Sequence, residues 1–169
     1  MTPIESVPVD SMLAQGDLID ACPVFRLPAD ATGDSVEIVL NGRFARVIVL
    51  TQTCDLANQK TSRVQVAVVH DATVIVSIGE LKATTIRDQV RRGLVHGWYF
   101  LPAVEALGLP ESVVDLHDIH TVPKAVVERL VAAGKRIGRL VTPFREHLAQ
   151  HFAVTYMRIA LPDQYESRP

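Results

Sequence analysis

The stretch from Ala45 to Asp71, ARVIVLTQTCDLANQKTSRVQVAVVHD, constrains this chain more than any other. Val47, Ile48, Val49 and Leu50 form an unbroken apolar, mostly β-branched run, the pattern of a strand buried on both faces. Ser62 to Val69 alternates instead, with Val64, Val66 and Val68 on one face and Arg63, Gln65 and Ala67 on the other, the pattern of a half-buried strand. Between them, Thr51 to Thr61 is rich in Thr, Asn, Asp and Gln, whose side chains bond their own backbone and favour turns. The simplest geometry is a hairpin with a long loop, or with a loop that holds a helical turn.

The flanking sequence adds short strands first and helices later. Residues 1–14, with two prolines, read as a loosely held lead-in. Gly16 to Ile19 opens a strand, Pro23 interrupts it, and Val24 to Leu27 continues it. Ser35 to Leu40 alternates and precedes Asn41-Gly42, a hairpin-turn signal. Val74 to Val76 extends the strand content of 15–76. Over 79–93, Leu81, Thr85 or Ile86, and Val90 recur at helical spacing, which predicts an inserted helix. Trp98 to Leu101 reads as a strand stopped by Pro102, Val104 to Leu109 as at most a turn of helix, and Ser112 to Val122 as a strand that completes the 95–122 part of the sheet. In that last strand, regular alternation sets Val114, Leu116 and Asp118 opposite Val113, Asp115 and His117. Two helices fill 123–161: one starts at Pro123 with Val126, Val127, Leu130 and Val131 on one face, the other is capped by Thr142-Pro143 and carries Phe144, Leu148, Phe152 and Tyr156. Strands joined by tight turns rather than helical crossovers predict an antiparallel, barrel-like sheet with helical additions, an α+β chain that is mainly β.

At 169 residues and 48% apolar content the chain suits one packed domain. A net charge of -2 gives no global attraction to nucleic acid, so any such role needs a local patch. Apolar runs fall far short of the roughly 20 residues that span a bilayer, and MTPIESVPVD lacks the basic and apolar regions of a signal peptide. No membrane role and a cytoplasmic location are therefore expected. Cys22 and Cys54 have no CxxC spacing and read as free thiols.

Several of these elements, in order, resemble the MazF/PemK family of bacterial toxin ribonucleases. They are Gly16-Asp17 on the first strand, Arg46 before Val47 to Leu50, the polar Asn58-Gln59-Lys60-Thr61, the strand Val64 to Val69, and Glu111 to Val122 leading into Lys124 to Val131. The likeness covers about two thirds of the chain. It implies an SH3-like barrel that cuts single-stranded RNA without metal or other cofactor, works as a homodimer and is held by a protein antitoxin. Arg46 would be the phosphate stabiliser and His70 the base, with Thr51, Gln52, Thr53 and Lys60 as substrate-binding residues; Arg87 and Arg91, with Arg92, are added as substrate-binding candidates from their own basic cluster on the inserted helix. His70 stands where the family has a catalytic Thr or Ser, and the 79–93 helix is an insertion.

Cys54, beside Asp55, is a candidate nucleophile if a histidine or helix terminus activates it, although Asp55 serves equally as the cap of a turn over a buried thiol. His147 and His151, and likewise His117 and His120, invite a metal reading, but their spacing and phase favour solvated side chains and no metal is expected. Lys135, Arg136 and Arg139 form a basic cluster that could track phosphates, with Trp98, Tyr99 or Phe100 to stack bases. The competing class is a noncatalytic protein-interaction module.

Overall fold

The structure is a computed structural model that describes residues 2–30, 40–58 and 60–157. Its strands are β1 (Ile4–Glu5), β2 (Asp17–Arg26), β3 (Asn41–Val49), β4 (Arg63–Asp71), β5 (Trp98–Leu101), β6 (Ser112–Pro123) and β7 (Arg136–Leu140). Its helices are α1 (Thr53–Ala57), α2 (Ala72–Ser77), α3 (Ala83–Asp88), α4 (Lys124–Ala132) and α5 (Phe144–Tyr156). The strands form one antiparallel sheet in the order β1-β7-β2-β3-β4-β6-β5, with β1 and β5 as its two edges. No ladder joins those edges among the described residues, so the sheet is open. No described helix is long and apolar enough to cross a membrane.

The hairpin lies at the centre. β3 pairs with β4 through Val47↔Val68, Ile48↔Ala67 and Val49↔Val66, and the connection holds the helical turn α1. Alternation along these strands feeds two cores. One face buries Ile48, Leu50, Ala67, Val69 and Val114 beneath Leu148 of α5. The other buries Val47, Val49, Val64, Val66 and Val68 beneath Val127 and Val131 of α4. Ala67 and Val69 are thus as buried as the valines, and β4 is covered on both faces over its second half rather than on one.

Other expectations are corrected. The lead-in contains β1, paired to β7, and its Ile4, Leu13 and Ala14 are buried. β2 runs through Pro23 and breaks register between Ile19 and Cys22, where Ala21 takes a left-handed φ of 54°. Asn41-Gly42 is no turn but the start of β3, opposite Arg26 and Phe25. A Cβ on Gly42 would stand 2.8 Å from the Phe25 ring, so glycine here makes room across the ladder. The expected strand from Ser35 to Leu40 lies, up to residue 39, outside the described residues, as do Gln59 and the expected helical residues 158–161. Val74 to Val76 belongs to α2, not to a strand; a three-residue apolar run carries no period that separates the two. The 79–93 helix is only α3 followed by a 3-10 turn at Val90–Arg92. Between α4 and α5 lies β7, a strand the sequence hid behind its arginines.

Candidate functional site

Arg46 and His70, the expected catalytic pair, do not meet on one face. Arg46 shares the face of Ile48 and donates from Nε to Asp20 Oδ1 at 3.1 Å and from Nη1 to Asp71 Oδ1 at 3.0 Å. His70 continues the row of Val64, Val66 and Val68 on the opposite face. The expected binding residues lie elsewhere again, past the far end of β3. Thr51 Oγ1 accepts the Gln65 N–H at 2.7 Å, and Thr53 Oγ1 accepts that of Gln15 at 3.2 Å. Thr51 and Gln52 line a groove against Phe152 and Tyr156 of α5, which adjoins a polar hollow at Lys60 and Arg63. Arg87 is exposed and paired with Asp88, and Arg91 stands over the Phe100 ring.

Three further readings are corrected. Cys54 is exposed, not buried, and its nearest polar neighbours are the Gln52 and Asp55 oxygens, with no imidazole bonded to it; Asp55 lies inside α1, whose cap is Gln52. Cys22 is the buried thiol, pushed by burial up to about 11. The Arg136 and Arg139 side chains are not a phosphate track. Both pair with the fully buried Asp17, and Arg136 also donates to the Pro8, Val9 and Ser11 carbonyls. His151 is not solvated but buried, its ring against the Val95 carbonyl.

The structure gathers a different constellation around His70. The β4–β6 ladder slips between Ala67↔Ile119 and Val68↔Asp115, so residues 116–118 form a bulge. Under strict alternation Asp115 and Asp118 would point to opposite faces; the bulge turns both toward His70, re-aiming side chains as bulges near sites commonly do. The ligating atoms of His70, Asp115 and Asp118 lie within 4.8 Å of one another. Asp118 Oδ2 accepts bonds from Arg26 of β2 and from Arg43 of β3, the latter at 2.9 Å, and Oδ1 meets His120 Nε2 at 2.9 Å. Asp115 Oδ1 takes the His117 N–H at 2.8 Å and faces its Nδ1 at 3.2 Å. The His117 ring lies edge-on to Trp98, the strand partner of Asp115, and packs on Gly97.

The electrostatics divide the roles. Burial pushes the His70 imidazole below its ordinary value, only partly offset by Asp115, so it is neutral and able to accept a proton. Burial would raise the Asp118 carboxyl, but the Arg26 bond and charge, together with His120, outweigh it and hold it below the usual range. Asp118 therefore stays ionised and orients one imidazole while fixing two guanidiniums. His70, Asp115 and Asp118 are close enough to hold a cation, yet a divalent ion on Asp118 would compete with two arginines and a histidine already bonded to that carboxylate. That donor set fits acid–base chemistry better than ligation.

Of this group the sequence reading marked His70 alone as catalytic. Asp115 and Asp118 were not joined to it because a three-residue spacing on a strand argues against a shared face; His120 was considered only as a metal ligand, and Arg26 and Arg43 come from two other strands. The available signal was density: Asp115-Leu116-His117-Asp118-Ile119-His120 places four ionisable side chains within six residues. No protein-family model and no curated protein matches this chain.

Proposed function

We propose that the protein binds single-stranded RNA and cleaves it by metal-independent acid–base chemistry at the His70 cluster, as a divergent, opened version of the SH3-like MazF/PemK barrel. The observation that carries this reading is one face bearing two imidazoles, His70 and His120, beside two guanidiniums, Arg26 and Arg43. His70 takes the proton of a ribose 2'-hydroxyl, the 2'-oxygen bonds to phosphorus, and the P–O5' bond breaks. His120 returns a proton to the leaving 5'-oxygen, and the products are a 2',3'-cyclic phosphate and a 5'-hydroxyl. Arg43 replaces Arg46 as the cation that stabilises the pentavalent phosphate. Trp98 supplies an aromatic surface for a neighbouring base.

The test is cleavage of a mixed single-stranded RNA in chelator, with product ends mapped. His70→Ala is expected to lose about 100-fold or more, as removal of a general base does, and Arg43→Gln to weaken cleavage, while Arg46→Ala retains it. Equal loss in Arg46→Ala, or no cleavage by folded protein, refutes the assignment. In the latter case the exposed Phe25, Leu27, Leu40 and Phe44 of the β2–β3 arm favour the second reading, an interaction module for a protein partner such as an antitoxin or a second copy.

A further inference from the structure

At the β5 edge of the sheet, Val90, Arg91, Gly93, Tyr99 to Leu101 and the start of α5 line an open cavity of about 360 Å³ that shares no residue with the His70 cluster. Its depth is apolar: Leu101 and Leu140 are almost fully buried, with Phe144 beside them. The Tyr99 hydroxyl is already committed, donating to the Phe144 carbonyl at 3.1 Å. Two polar side chains remain in the wall. His147 stands edge-on to the Tyr99 ring, and Arg91 is held over the Phe100 ring with its guanidinium carbon 5.6 Å from the centroid. Among the described residues no carboxylate is paired with Arg91.

We infer that this cavity binds a small free monocarboxylic acid with an apolar body, its carboxylate on Arg91 beside His147 and its hydrocarbon part against Leu101, Leu140 and Phe144. A single planar guanidinium matches the two oxygens of one carboxylate, and stacking on Phe100 orients that fork before the ligand arrives. A guanidinium forks phosphate as well, but the dianion's remaining oxygens and second charge would face the apolar wall of Leu101, Leu140 and Phe144 without donors. The volume is near the lower end of the range of about 300–1,000 Å³ for small-molecule sites, which suits a one-ring or short branched body.

The full chain, ¹⁵N-labelled, would be titrated with 3-phenylpropionate, with 3-phenylpropionamide and with inorganic phosphate, and its amide resonances followed. The acid is expected to give saturable shifts at Arg91–Gly93 and Tyr99–Leu101. The amide should bind roughly tenfold or more weakly, the loss of one charge-assisted contact, and phosphate should give no saturable shift. Arg91→Gln should bring acid and amide to equal affinity, and because Arg91 is exposed the variant's own spectrum reports that it is folded. Absence of saturable shifts with the acid, equal binding of acid and amide to the unaltered chain, or displacement of the acid by phosphate overturns the inference. None of these outcomes depends on RNA cleavage.

Discussion

Asp17 and Arg46 both make paired ion contacts, and their surroundings set very different consequences for losing them. Asp17 is fully buried, and the side chain of its partner Arg136 is 3% exposed. Asp17→Ala strands that guanidinium in a dry site and should cost about 3–5 kcal/mol in urea denaturation. Arg46 pairs with Asp20 and Asp71, whose side chains are 45% and 40% exposed. Water replaces those contacts, so Arg46→Ala should cost only about 0–1 kcal/mol. Similar stability losses in the two variants would contradict this contrast. At Gly97, φ is +84°, and a Cβ would fall 1.9 Å from the His117 ring. Gly97→Ala must therefore expel that ring from beside Trp98. As Trp98 is the only tryptophan, its fluorescence should report the change directly, and an unaltered emission spectrum would count against the described packing.

Elements were legible where side-chain pattern and burial agree. The Val47–Leu50 run, the alternation of Val64 to Val68, the aromatic β5 and the apolar face of α4 each state their place in the core. β7 was not legible, because Arg136 and Arg139 sit where a strand should be apolar; the partner that makes them tolerable, Asp17, is more than a hundred residues away in sequence. The candidate site failed for a related reason. Its geometry depends on the 116–118 bulge, and the choice to bulge comes from the pairing of β6 with both β4 and β5, not from local pattern. β1 is the clearest case in which a polar, proline-bearing segment concealed an anchor. Ile4 is 1% exposed, and the Pro3 carbonyl accepts the Val141 N–H at 3.0 Å. Ile4→Ala should therefore cost about 2–5 kcal/mol and speed hydrogen exchange at Val141. Unchanged exchange there would mean that β1 does not secure the β7 edge.

On the scale of the whole molecule, the open sheet separates two histidines whose titration has the same sign but different effects. His70 lies on the face of the α4 core, while His151 is on the buried side of α5 with its ring beside Val95, His96 and Tyr99. Burial lowers both, so below the ordinary imidazole value of about 6.5 the unfolded chain binds protons that the folded chain refuses. Stability is accordingly full above that value and falls as pH drops from it through the folded-state values. The Asp118 carboxyl, also lowered, adds its own loss only at more acid pH, near and below the usual carboxylate value of about 4, so the two windows separate. Each histidine can be silenced in turn. His151→Gln keeps an amide to meet the Val95 carbonyl but cannot titrate, and should flatten part of the stability loss below pH 6.5 while leaving the pH profile of RNA cleavage in place. His70→Asn should remove the other part and abolish cleavage with it. In the unaltered protein, the acid limb of kcat/KM should then fall at a pH below the ordinary imidazole value, because a base lowered by burial keeps its lone pair further into acid. If His151→Gln moves that limb, or if it lies above the ordinary value, His70 is not the base.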